Sequence, residues 1–536
     1  MAGRRSYSRA PARFAALLFS SHFAWQLSVA SASVFLAPIG GPARPNDDLL
    51  IQLERVAGED RRAHVERRAN FIAELLRPTF QALPRDANDR LPAAAVRYLL
   101  HRWFAGRHGW IVRGLHAAGE AWNSSSPAGV FLGHHDELHG LFEEHLQARG
   151  FGLREAAVFA ATFESFVHAE TTDRLEAAYR VHGASDHGSA LSEELLGEVL
   201  DTSMMMFVFS IDPAAATGPM MRQISASAAR TYPKWEETRR WVREVRREVI
   251  ATSALGSPAA SFNITVRVLE EVAERYGRWQ DSECQQIKDS LVSMEDAGRG
   301  RVRLDAFYTS ALSGNWQFSE PVSYLRDLGV LDESDTGRPS VVIPNYISSP
   351  SNCVASSRFY SVCCIDECEG ILGALERYIA APSASPARIA ELIAKIPSPT
   401  APAPRELASS LLARLEEVGQ LHGGLVPLHG RLFAQWLHHA YPRECPFPLL
   451  SGSFSPTSPE QWREDTGHAA MADEASMRLH IEEARIANES VETEVCEAAA
   501  GVTCGSLPWS MDEELVVSRA AAAGAPAEQR GWLRAG

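Results

Sequence analysis

Apolar positions recur at helical spacing over most of this chain. Leu49, Leu50, Leu53 and Val56 open an amphipathic stretch that Val65, Phe71, Ile72, Leu75 and Leu76 continue. Further helices are expected over 91–104, 137–146 and 153–181, with Pro92 in a tolerated first-turn position and Gly150 and Gly152 as a break. Ser192 reads as the N-cap of a helix over 192–206, and Glu193 and Glu194 suit its positive end. A solvated Arg/Glu-rich helix follows over 235–250. Beyond a small-residue loop at 253–261, helices are expected over 264–276, 282–293, 304–312, 367–379, 386–396, 407–421 and 429–440. Period-two alternation is not sustained anywhere, and Val341, Val342 and Ile343 make one short strand. The expected fold is mainly α, a multi-module helical protein with a disulfide-stabilised C-terminal module.

The module boundaries follow the breaks. Residues 49–250 form a helical module without cysteine, 262–343 a helix–loop–helix pair, and 351–510 a cysteine-rich helical module. The Ala-rich tail at 511–536 is expected to fray.

The N-terminus reads differently. Arg4, Arg5, Arg9 and Arg13 precede an uncharged run over 14–37. This is the pattern of a signal peptide or signal anchor over 1–32, with Ala30-Ser31-Ala32 supplying the small residues of a cleavage site. The competing reading is an uncleaved type II anchor, because about 20 apolar residues span a bilayer. A third rests on Ala30-Ser31-Ala32-Ser33-Val34-Phe35, which resembles the cleavage motif of bipartite leaders of algal secondary plastids. Asn123, Asn263 and Asn488 each head an Asn-x-Ser/Thr sequon, a glycan acceptor in the secretory route.

That compartment gives the cysteines their meaning. Of the eight, none precedes Cys284, and Cys353, Cys363, Cys364, Cys368, Cys445, Cys496 and Cys504 cluster late. In an oxidising compartment such clustering reads as a disulfide framework. Cys363 and Cys364 are adjacent and are expected to reach different partners, such as Cys353 and Cys445; Cys496 and Cys504 close a short loop. The alternative is a metal cluster built on Cys364 and Cys368. A net charge of −15 removes the basic face that nucleic-acid binding needs. Membrane contact would come only through an uncleaved anchor.

Three stretches carry candidate chemistry. His135 and His139 lie one helical turn apart, as do Glu164 and His168, so two helices of a bundle could offer all four to a divalent metal. Asp136 stands where a zincin needs glutamate. Residues 295–306 place Gly300 and Val302 at the glycine and apolar positions of a calcium loop, and 332–343 offers Asp332, Ser334, Thr336 and Gly337. The region 284–343 thus resembles a degenerate EF-hand pair. Ala297, Arg299 and Ala306 stand at ligand positions of the first loop, so the resemblance implies a helix–loop–helix pair without calcium there. Finally, His429, His438, His439 and Cys445 share a dense segment, readable as acid/base groups beside a thiol or as a turn fixed by a disulfide. Phosphate loop, nucleophile elbow and dinucleotide fingerprint are missing from the sequence. Two readings follow: a secreted or lumenal interaction protein with a protein partner, and a metal-dependent enzyme with a helix-borne His/Glu site.

Overall fold

Local chemistry starts the helices where the sequence places it. The computed structural model describes residues 47–57, 59–115, 126–133, 135–184, 191–252, 261–295, 298–314, 317–335, 337–353, 355–491 and 509–516. Ser192 Oγ accepts the Leu195 N–H at 3.3 Å, and a helix opens at Glu193. Glu155 Oε2 accepts the Gly152 N–H at 2.9 Å, while Arg90 Nη2 holds its other oxygen at 2.7 Å. The helix that follows runs Leu153–Val181, the expected bounds.

In chain order the elements are α1 (Asp47–Ala57), α2 (Glu59–Ala82), α3 (Ala93–His108), β1 (Trp110–Val112), α4 (Asp136–Arg149), α5 (Leu153–Val181), α6 (Glu193–Val208), α7 (Gly218–Thr231), α8 (Trp235–Thr252) and α9 (Phe262–Ser293). Next come β2 (Arg301–Arg303), α10 (Leu304–Leu312), α11 (Val322–Asp327), β3 (Leu331–Asp332), β4 (Ser340–Val342) and α12 (Ile343–Ile347). The last part holds β5 (Ala355–Ser356), β6 (Tyr360–Val362), α13 (Cys368–Ile379), β7 (Ser383–Ala384), α14 (Pro386–Ile393), α15 (Ser409–Leu421), β8 (Val426–Pro427), α16 (Arg431–Ala440), α17 (Pro459–Thr466) and α18 (Glu474–Val491). The fold is mainly helical. Its strands are short and antiparallel, in orders β1-β6-β5, β2-β4-β3 and β7-β8.

Three apolar cores form, and the first and third take residues from outside the segment that dominates them. The first spans Leu49 to Tyr276 and borrows Phe359, Tyr360 and Val362. The second gathers Ile371 to Cys445. The third runs from Ile287 to Tyr346 and borrows Trp462 and Met477 from α17 and α18. Helix α5 is buried round most of its circumference, with Ala156, Ala157, Ala160 and Ala161 allowing close approach. Helix α9 is the spine. Its Val268, Val272 and Tyr276 enter the first core, and its Ile287 and Leu291 the third.

The expected break between 276 and 282 is not there: α9 passes straight through Gly277. The glycine serves a close approach instead. A Cβ at Gly277 would sit 2.0 Å from the His108 carbonyl oxygen, beside Gly109 at φ +68°. The Cys363 N–H donates to the Gly109 carbonyl at 2.8 Å, which carries the end of β6 onto α9.

Two of the disulfides lie beside that contact. Cys363 and Cys364 do reach different partners: Cys353 pairs with Cys363, and Cys364 with Cys284 on α9, while neither reaches Cys445. Cys445 pairs with Cys368 at the head of α13. Cys364 and Cys368 therefore do not share a metal. Cys284 looked isolated because 80 residues separate it from its partner. Cys496, Cys504, Asn123 and residues 1–32 lie outside the described residues, as does the side chain of Asn488.

Part of the expected tail is docked. Residues 509–516 lie along α16: Arg431 N–H donates to the Glu514 carbonyl at 3.0 Å, and Gln435 Nε2 to the Ser510 carbonyl at 2.8 Å. Pro344 is the second residue of α12, a first-turn position proline tolerates. Among the described residues no helix is long and apolar enough to cross a membrane.

Candidate functional site

The bundle of α2, α3, α5 and α9 gathers titratable side chains around Glu164. This carboxylate is buried, with Arg68 Nε at 2.5 Å, His108 Nε2 at 3.5 Å and Trp103 Nε1 at 3.4 Å. Arg68 also reaches Glu274 on α9 at 3.0 Å. Burial alone would raise the Glu164 pKa; the contact with His108 and the guanidinium of Arg68 outweigh it and hold it at about 2. His168 lies one turn further along α5, with Nδ1 3.8 Å from Glu270, and its ring meets His64 at 6.3 Å. Burial lowers both histidines and pushes Glu270 up to about 7, aided by Glu274.

Glu164 and His168 thus share a cluster, but His135 and His139 are not in it. The His135 ring packs on Phe166 at 3.9 Å. Phe166 and His168 are two residues apart, about 200° around the helix, so they face opposite sides of α5. His135, just before α4, meets the Phe166 side; His64 and Glu270 meet the His168 side. Among the described residues no group of three or more His, Cys, Asp or Glu side chains is arranged to hold a metal ion. Sequence spacing showed Glu164 and His168 one turn apart but carried no sign of Arg68, His108 or Glu270, which come from three other helices.

A second buried network joins the first core to the second. Arg102 on α3 pairs with Glu369 at 2.6 Å and, more closely, with Glu376, both on α13. Glu376 is 0% exposed, and it accepts from His429 Nε2 at 2.8 Å and Thr79 Oγ1 at 2.7 Å. Against the upward push of burial, Arg102 and His429 hold its carboxyl at about 2. Neighbouring Asp366 is pushed up to about 7 by burial and by Glu369.

These shifts predict a pH optimum. Glu164 and Glu376 sit below the ordinary carboxylate value of about 4.3, so their contribution is full above it and fades as pH falls toward 2. Glu270 and Asp366 sit above their ordinary values, so their contribution is full below about 4 and is lost as pH rises through 7. Thermal midpoints should therefore peak near pH 4–5 and decline toward neutrality. Asp366→Asn should flatten the decline in a melting series across pH.

The other chemical candidates are engaged internally. Cys445 is oxidised, and His438 donates Nδ1–H to its carbonyl at 2.7 Å. Burial lowers His438 to about 3, so it is neutral at ordinary pH. His439 packs at 6.0 Å against Trp509. In the 284–343 region, Val302 of β2 pairs with Val341 of β4. The carboxylates that open the two loops each hold an arginine: Glu295 accepts from Arg443 Nε at 2.6 Å, and Asp332 from Arg301 Nε at 2.6 Å.

A cleft of about 650 Å³ opens elsewhere, beside the C-terminal half of α5. Glu170, Asp173, Arg174, Glu176 and Arg180 form its floor at helical spacing. One wall is the turn at 210–214 after α6; the other is the turn at 357–358 with Arg113. The Arg358 N–H donates to Glu170 Oε1 at 3.0 Å, and its guanidinium meets Asp173 at 3.2 Å, fixing that turn to α5. Arg174 reaches Thr171 Oγ1 at 3.0 Å and lies over Phe207 at 5.1 Å. Arg180 donates to the Pro213 carbonyl at 3.0 Å. Nothing in the sequence marked this cleft, because the β1–β6 pairing brings Arg113 to the 357–358 turn and α6 carries the 210–214 turn to the other side.

The chain matches no protein-family model, no curated protein and no solved structure.

Proposed function

We propose that this is a secreted or lumenal interaction protein whose helical modules are cross-linked into a rigid platform for a protein partner. One observation carries the reading: all six cysteines among the described residues are paired, and two of the bridges span 80 and 77 residues of chain. Such bridges form and persist in oxidising compartments. The side chains that could have done chemistry support it too. Cys445, His438 and His429 serve internal contacts. The 284–343 pair is read as a metal-free relative of the EF-hand, because Arg443 and Arg301 supply cationic charge at the first carboxylate of each loop.

The test is expression of the full chain in a secretory host. The protein should reach the medium with an N-terminus at Ser33 and a glycosidase-sensitive mass increment. Asn263→Gln should remove part of that increment, since Asn263 is exposed. Elemental mass spectrometry should find no stoichiometric metal. Retention in the cytosol with free thiols would overturn the compartment, and a tightly held zinc, iron or manganese would favour an enzyme.

A further inference from the structure

We infer that the cleft beside α5 binds a dipolar peptide ligand, a short segment carrying both a free carboxylate and a free ammonium. The argument is a charge inventory. Arg358 is used by Asp173, and Arg174 lies against Glu170 and Thr171. Two cations and two anions on the lining remain. Among the described residues, Arg113, Arg180, Glu176 and Asp212 take part in no ion pair, although all four border the cleft. A purely anionic ligand would meet Glu176 and Asp212, and a purely cationic one Arg113 and Arg180. A ligand with both charges satisfies both sets, and like-charge mismatch rejects the others. A guanidinium fork suits a carboxylate in particular.

Two further observations point into the same space. Glu170 is 6% exposed and lines the cleft; its Oε1 takes the Arg358 N–H, but Oε2 makes no hydrogen bond among the described residues. Arg174 Nη1 stands 3.4 Å from that oxygen. A buried carboxylate oxygen in this state is an acceptor suited to an incoming N–H. Ser210, on the facing wall, holds φ +54°, a left-handed conformation that glycine adopts without cost. Its residue is part of the cleft lining. The volume of about 650 Å³ exceeds what one amino acid needs, and Met206, Ile211 and Pro213 give a side chain an apolar edge. The inference stands apart from the platform reading: cleft charges do not depend on compartment or cysteine state.

The probe is a mixed tripeptide library with free termini, offered to the full chain and read by native mass spectrometry and titration. Control libraries are acetylated at the amine or amidated at the carboxylate, and succinate tests an anion alone. Free tripeptides should bind, and blocking either end should weaken binding about tenfold or more. Arg180→Gln or Arg113→Gln should erase the penalty for amidation, and Asp212→Asn the penalty for acetylation. Circular dichroism and thermal midpoints confirm that each variant is folded. The inference is overturned if no tripeptide binds, or if doubly blocked peptides bind equally well. It is also overturned if succinate matches the tripeptides while Asp212→Asn changes nothing, which would mark a simple anion site.

Discussion

Replacing Arg102 by methionine is expected to cost about 3–5 kcal/mol of stability, among the largest effects open to any single substitution here. Arg102 is 8% exposed and stands between two acidic partners on α13, Glu369 and Glu376. Methionine fills much of the same volume but leaves the Glu376 carboxylate buried with its chief counter-charge gone. His429 and Thr79 remain as hydrogen-bond donors, and they do not replace a guanidinium. The same logic predicts a rescue. Glu376→Gln in the Arg102→Met background removes the stranded charge and should recover part of the loss, because an amide oxygen still accepts from Thr79. Denaturant midpoints of the wild type, both single variants and the double variant close the cycle. A wild-type midpoint for Arg102→Met would show that this network does not join the first core to the second.

Removing the Cys284–Cys364 bridge is the second large effect, expected at about 2–5 kcal/mol. The bridge closes a loop of 80 residues and ties the end of β6 to the spine helix α9. With Cys284→Ser and Cys364→Ser, the β1–β6 pairing must be held by three residues a side and by stacking of Trp110 on Tyr360 at 4.5 Å. Proteolysis should then cut first near 353–364, while the second core, with Cys368–Cys445 intact, resists longer. Equal resistance of variant and wild type would contradict the role given to this bridge.

Much of the fold was legible because helices carry their own periodicity. Helices α5 and α10 have the expected bounds, and Ser192 caps as its side chain dictates. What escaped the sequence is what depends on partners far along the chain. β1 and β6 have three residues each, too few for alternation to register, and their pairing joins residues about 250 apart. The expected gap between 276 and 282 starts at Gly277, whose cost to a helix is local, whereas its benefit, room for the His108–Gly109 backbone, is tertiary. Cys284 was left out of the disulfide set for the same reason. For the bundle cluster, the one-turn spacing of Glu164 and His168 was visible. The separation of His168 from His135 depends on which side of α5 each neighbour packs against, which spacing cannot encode.

The account centres on one claim: distant parts of the chain are locked together by disulfide bridges, one of them tying the end of β6 to α9. Peptide mapping of the non-reduced protein, with free thiols alkylated before digestion, tests it most directly. The prediction is linked peptides for Cys284–Cys364, Cys353–Cys363 and Cys368–Cys445, with none of these six alkylated. Alkylation of Cys284 together with a Cys364–Cys445 link would contradict it, and would return α9 and the second core to independent modules.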